Sequence, residues 1–351
     1  MTQGGSTTES YSYDAVGNRT ASLGVSSYTN NSSNELTASS SASYTYDYNG
    51  NTTSNTDSTG TTDYNWDYEN RLASATLPSS GGTVSFKYDP FGRRIEKISP
   101  NATSIFAYDG PDLIETVNSS GGAVARYSQG RDIDDPLAMQ RGSTTSFYEA
   151  DGLGSITSLS NSTGALAQTY TYDSFGNTTH SSGSLTNFFR YTSREFDTET
   201  NLYYYRSRYY DQQSGRFIRE DAVKDVIKGL NFYVYVNNSP TGLVDPYGHG
   251  PLGNAIGVGW AAYGKLQGAM DWMFCGLFAY KCVDIGVDTK YAVAQAQGNQ
   301  TQSYMDSTNT LSNYGTSANS MMELNRQTCF VNSPCKNFIK DCIQFAAPNP
   351  F

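Results

Sequence analysis

Few side chains here have types and spacing suited to chemistry, and those few exclude more than they permit. The chain of 351 residues holds two histidines, His180 and His249, and five cysteines, Cys275, Cys282, Cys329, Cys335 and Cys342. No HExxH, Walker loop or HNH-like cluster occurs. No histidine follows His249, which excludes histidine-dependent nuclease or deaminase chemistry from the last hundred residues. The cysteine spacings are too loose for a zinc knuckle, so no metal and no cofactor is expected. The simplest oxidised count is two disulfides plus one free or intermolecular thiol. One dense block does stand out, at residues 188–248. Arg190, Arg194, Arg206, Arg208, Arg216 and Arg219 alternate there with Tyr203, Tyr204, Tyr205, Tyr209 and Tyr210. Basic residues among aromatics can stack single-stranded nucleic acid. Glu195, Asp197, Glu199, Asp211, Glu220, Asp221 and Asp225 match the charges, so internal Arg–carboxylate and Arg–aromatic pairs are the expectation.

The elements that must position this block are repeats. An aromatic followed by Asp, with glycine close behind, recurs at Tyr13-Asp14, Tyr46-Asp47, Tyr88-Asp89, Tyr108-Asp109 and Tyr172-Asp173. Weaker copies stand at Trp66-Asp67 and Ala150-Asp151. The period is about 21 residues, with one copy eroded near Asp132. A unit this short cannot bury a face alone and must stack on its neighbours. The run Thr83-Val84-Ser85-Phe86-Lys87-Tyr88 alternates, placing Val84, Phe86 and Tyr88 on one side. Asp-x-x-Gly then turns the chain, because Asp bonds the backbone two residues on and Gly accepts a positive φ. Two strands per repeat predict a coiled antiparallel sheet over residues 10–185, with the repeat tyrosines at equivalent positions. A β-propeller, built from two repeats per blade, is the competing arrangement.

Composition agrees with strands. There are 28 Tyr and 33 Gly, only 16% of residues are charged, and the mean hydropathy is -0.53. Tyr and Thr favour strands. The net charge of -10 lies entirely before residue 250, and no Lys/Arg run occurs. A nucleic-acid surface is therefore not expected on the repeat body. Low charge and abundant Ser, Thr and Asn suit a secreted or cell-surface protein, although no signal peptide begins at Met1.

The 188–248 block resembles the RHS repeat-associated core domain, the end of bacterial Rhs and related YD-repeat proteins. The stretches that carry the likeness are Arg190-Tyr191, Arg194-Glu195-Phe196-Asp197, Leu202 to Asp211, Gly215-Arg216-Phe217-Ile218, Asn231 to Asn238 and Asp245-Pro246-Tyr247-Gly248. The resemblance implies a hollow β-shell wound from the repeats and closed by the core, with a variable segment behind Asp-Pro-x-Gly as cargo. On that basis the domains are 1–185, YD-repeat sheet; 186–249, core; and 250–351, a variable, mostly helical, cysteine-containing region. Structural roles fall to Tyr46, Asp47, Tyr88, Asp89, Tyr172, Asp173, Arg206, Arg208, Asp211, Arg216, Pro246 and Gly248.

The family separates shell from cargo by self-cleavage with paired aspartates. Here these map to Asp221 and Asp245, with His249–Gly250 as the scissile bond. Two carboxylates facing one peptide bond can share a proton, one activating water and the other protonating the leaving amide. Arg216 or Arg219 would tune the pair. Ala222 stands where the family has proline and His249 where it has leucine, and both departures weigh against cleavage. Ser193 and Asn201 replace family glycines.

Beyond Gly250, an apolar, Gly-punctuated stretch at 256–287 predicts helices that contact a membrane or pack as an interface, interrupted by Lys265, Asp271, Lys281 and Asp284. The reading favoured by sequence is a structural YD-repeat surface protein that assembles through its C-terminal region, with protein partners or itself. The alternative is an Rhs-type toxin carrier, in interbacterial competition or toxin delivery, that frees a C-terminal effector.

Overall fold

Strand Thr83–Tyr88 shows how the sheet is made. Val84 and Phe86 are buried, Tyr88 is partly buried, and their neighbours face solvent. Its partner Arg94–Ile98 follows after the Asp89 turn. Repetition of this hairpin gives one antiparallel sheet of 16 strands, from Tyr28–Asn30 to Thr178–Gly183, each strand paired with its neighbours in sequence. The Tyr11–Tyr13 and Arg19–Ser22 hairpin stands apart. The computed structural model describes residues 2–3, 6–222, 231–250 and 252–253.

Most repeat turns are held the same way, the tight Asp109–Asp112 turn being an exception. Asp47 Oδ1 accepts the N–H groups of Asn49 and Asn51, both at 2.9 Å, and its Oδ2 accepts Asn51 Nδ2 at 2.8 Å. Asp89 repeats this with Phe91, Arg93 and the Arg93 Nε, and Asp173 with Phe175, Asn177 and the Asn177 amide. The eroded Trp66-Asp67 copy keeps the pattern, because Asn70 takes the positive φ (59°) that glycine takes elsewhere. A register shift falls just before Tyr46, Tyr88, Tyr108 and Tyr172. A bulge there bends the strand and re-aims the ring. The hydroxyls then donate back to the preceding repeat: Tyr46 to Leu36 O, Tyr88 to Leu72 O, Tyr108 to Arg94 O and Tyr172 to Ile156 O, at 2.8–3.0 Å. Trp66 Nε1 does the same to Thr52 O.

The Arg/Tyr block forms a second, four-stranded sheet from Glu195–Asp197, Leu202–Tyr205, Arg208–Asp211 and Arg216–Phe217. Both of its faces are buried. Tyr204, Tyr209, Leu202 and Ile218 pack on Tyr64, Leu72, Val84 and Phe86 of the large sheet. Tyr203, Tyr205, Tyr210, Phe217 and Tyr235 pack on one another. Its donors also reach the repeat turns. The glycine carbonyls of five turns accept from it: Gly17 from Asn238, Gly50 from Tyr233, Gly92 from Tyr204, Gly154 from Ser193 and Gly176 from Tyr203. A side chain at Gly50 would meet Tyr233 Oη at 2.6 Å, so this turn needs glycine for close approach as well as for φ.

The expected architecture is corrected here. The strand order of the large sheet is linear, its two end strands do not pair with each other, and Thr178–Gly183 is exposed along its whole length. The sheet is therefore open, not a closed shell, and the core block covers its inner surface instead of completing a wall. The physical reason is local. Each hairpin pairs only with its sequence neighbours, and bulges add twist without bringing the last strand back to the first. Among the described residues there is no α-helix, only 3-10 turns at Tyr191–Ser193 and Val236–Asn238. The helical region expected after residue 250 lies outside the described residues, as does the apolar stretch 256–287. No helix among the described residues is long and apolar enough to cross a membrane. Contacts divide the chain after Asn254.

Candidate functional site

Asp245-Pro246-Tyr247-Gly248 repeats the architecture of the YD turns. Gly248 N–H donates to Asp245 O as Gly50 N–H does to Asp47 O, Gly248 has φ 70°, and Asp245 Oδ1 accepts the N–H four residues on, from His249, at 3.0 Å. The Gly248 carbonyl accepts from Ser207 Oγ at 2.8 Å and Arg208 Nε at 2.5 Å. Ser207 Oγ also reaches Tyr247 O, and Arg206 Nη1 binds Pro246 O. The segment is thus clasped by three consecutive residues at the Tyr205–Arg208 bend. A side chain at Gly248 would lie 2.4 Å from Tyr205 O.

Asp221 comes to the same place by another route. Its N–H donates to Phe232 O, and its carboxylate lies 3.2 Å from Arg208 Nη2. Asp245 Oδ2 lies 3.5 Å from the same nitrogen. One guanidinium, 2% exposed and stacked 3.5 Å above the Phe217 ring, therefore serves both carboxylates. His249 completes the group, with Nδ1 3.3 Å from Asp221 Oδ1. The Gly250 N–H also bonds to Asp245.

Electrostatics separates the members. Burial raises the pKa of Asp245, against the opposing pull of Arg208 and the His249 and Gly250 N–H groups. Burial likewise lowers the Arg208 guanidinium, against Asp221 and Asp245. A buried carboxylate with a raised pKa, sharing one cation with a second carboxylate, is an arrangement suited to acid–base work. No metal-ligating cluster of three or more His, Cys, Asp or Glu occurs among the described residues.

Of the residues singled out in the sequence, Asp221, Asp245, His249, Arg208, Pro246 and Gly248 converge. Arg206 joins them through Pro246 O and also bonds outside the block, to Asp134 in the loop between Gln129 and Pro136. Asp211 is buried under the N–H groups of Gln213 and Ser214, with its pKa raised by that burial. Neither expected arginine touches the pair directly, although Arg219 interacts with the charge of Asp221. Arg216 bonds Asn30 and Asn34, and Arg219 donates to Ser207 O. Burial, then the charge of Arg208, brings the Arg219 pKa down to about 10. The place held for them is taken by Arg208. Sequence reasoning also passed over Ser207, whose small hydroxyl between two arginines was the available signal, and Asp134, hidden in the eroded repeat.

Comparison with known proteins follows the same residues. The chain is 34% identical over 271 residues to "tRNA3(Ser)-specific nuclease WapA" of Bacillus spizizenii and 33% identical over 270 residues to "tRNA nuclease WapA" of Bacillus subtilis, in each case over 72% of this chain. It spans 11% of the length of these relatives. Among solved structures, the TcdB2-TccC3-Cdc42 crystal structure aligns with a TM-score of 0.45 at 20% identity, over 68% of this chain and 17% of that one. The family model described as Teneurin YD-shell matches residues 1–241, and with it the repeats and the Arg/Tyr block: the chain belongs to the YD-shell family.

Proposed function

We propose that this chain is the closing part of a toxin-carrying YD-repeat protein, and that Asp221 and Asp245 hydrolyse its own His249–Gly250 bond to separate residues 250–351 from the repeat body. The observation that carries this reading is that both carboxylates meet at Arg208 Nη2 while the backbone N–H groups on either side of His249 bond to Asp245. Burial raises the pKa of Asp245, which sits beside the nitrogen that would leave, and we assign it as the acid. Asp221 is the base for water. Arg208 limits the pair to one shared proton, and its Nε, with Ser207, fixes the segment through the Gly248 carbonyl. Fixing the bond against the carboxylates supplies much of the rate.

Relatives that are named nucleases support the carrier over the purely structural surface protein favoured by sequence. The released segment is the effector. Delivery implies secretion or display at a cell surface and contact with protein partners.

Intact-mass measurement of the parent and of Asp221→Asn tests this. The expected result is a parent fragment that begins at Gly250 and a mutant that stays whole. A parent that remains one full-length chain returns the protein to the structural reading, with the C-terminal region as an assembly module.

A further inference from the structure

A second site of unpaired charge lies away from the carboxylate pair. Arg19, from the N-terminal hairpin, is 8% exposed and held between the rings of Tyr11 and Phe175, at 4.6 and 4.4 Å. Its Nε and Nη2 are buried with no hydrogen-bond partner. Arg216, from the core block, stacks on Tyr233 at 4.7 Å, and its Nε is buried and unpartnered as well. Its other nitrogens reach only neutral oxygens, Asn30 Oδ1 and Asn34 O. Both arginines line one cavity of about 20 Å³, together with Asn18, Asn231 and Tyr13, whose hydroxyl also lacks a well-formed bond.

Counter-charge is lacking. Neither arginine makes an ion pair with a carboxylate among the described residues, whereas Arg71, Arg93, Arg94, Arg126, Arg194, Arg206 and Arg208 all do. Asp211, close enough to feel Arg19, has its carboxylate bound to Gln213 and Ser214 N–H. Asp14 is taken by Asn18. Burial works against the Arg19 charge, but Tyr13, Tyr210 and Tyr28 outweigh it and raise its pKa, whereas Arg216 is shifted the other way. Burial first, and Arg19 among the surrounding charges, hold the Arg216 guanidinium below its ordinary pKa. A buried Arg19 beside a half-buried Arg216, with no carboxylate paired to either, is costly.

We infer that the cavity between Arg19 and Arg216 binds a monatomic anion, chloride or a halide of like size. The volume admits one such ion, since a cavity needs roughly 10–15 Å³ to hold a single water. Guanidinium donors face it from two elements far apart in sequence. Occupancy joins the N-terminal hairpin, the first strands of the large sheet and the core block at one point.

The test uses the full chain. Thermal unfolding is followed in sodium chloride against sodium gluconate at equal ionic strength. The Tm is expected to rise by about 3–5 °C per tenfold increase in chloride above its dissociation constant. Arg19→Met, which keeps the side chain between the two rings, is expected to remove that dependence. An equal Tm in both salts overturns the assignment, as does an unchanged chloride dependence in Arg19→Met. If Arg19→Met does not fold, crystals of the parent grown in bromide decide: an anomalous peak between Arg19 and Arg216 supports the site, and its absence overturns it.

Discussion

Asp134 and Arg206 meet at 2.9 Å across 72 residues of chain, and through that contact the large sheet grips the Asp-Pro-x-Gly segment. Arg206 passes the grip on through Pro246 O, and Arg194 shares the same aspartate. Asp134 lies in the loop where the repeat is eroded. There Gln129 takes the tyrosine's position and its Nε2 donates to Leu113 O as the tyrosine hydroxyls do to earlier strands. The erosion is thus a substitution of one task for another.

Asp134→Ala should cost about 3–5 kcal/mol, because it leaves Arg194, 2% exposed, without one of its two carboxylates and weakens the hold on Arg206. Urea unfolding of parent and mutant measures this. If the clasp positions the junction, release of the C-terminal segment slows in the same mutant even where the fold is retained.

A buried cluster at Asp197 sets the acid limit of stability. Burial opposes its ionisation, but Arg94 and Lys97 outweigh that and hold its pKa below the ordinary aspartate value. A depressed folded pKa contributes stability that is present above the unfolded pKa and lost as pH falls through the folded one. The urea midpoint of the parent should therefore fall steeply below pH 4. Asp197→Asn should be less stable at pH 7 and show a flatter acid limb.

Asp245 has the opposite sign, since burial raises its pKa. Its contribution to stability is full below the unfolded pKa and is lost as pH rises through the folded value. The proposed cleavage needs Asp245 protonated and Asp221 ionised. Its rate should pass through a maximum on the acid side of neutrality and fall as pH rises further, as read by band intensity after a pH jump. A rate independent of pH between 4 and 8 contradicts the assigned roles.

Tyr88→Phe removes one hydroxyl donated to Leu72 O while keeping the ring, and should cost about 1 kcal/mol. Phe86→Ala, two residues away on the buried face, should cost about 3–5 kcal/mol. Denaturant midpoints of the two mutants compare the weight of the hydroxyl ladder with that of the packed rings.

Much of this was legible in the residues. The Asp spacing located the repeat turns, the alternation around Val84 and Phe86 gave the buried face, and Arg/Tyr density marked the core block. Ser193 and Asn201, standing for family glycines, do adopt positive φ, at 53° and 57°. Other features were not legible, for physical reasons. Ion pairs such as Arg94–Asp197 join residues about a hundred apart, and no local pattern announces them. Internal pairing of the block was expected, yet Arg206, Asp197 and part of Arg194 turn outward to the sheet. Closure depends on the sum of twist over all strands, which no single repeat encodes.

The five glycine carbonyls received by Asn238, Tyr233, Tyr204, Ser193 and Tyr203 make the core block a gauge. Its donors belong to one compact block, Tyr203 and Tyr204 on a strand, Ser193 and Asn238 in 3-10 turns and Tyr233 just before the second of these, while the turns they meet are spread from Gly17 to Gly176. Only one number of hairpins between those turns satisfies all five at once. Gain or loss of a whole repeat before Thr8 leaves the fit intact, whereas the same change between Gly50 and Gly154 sets every later turn one tooth out. The array can therefore lengthen in evolution at its far end and not under the block.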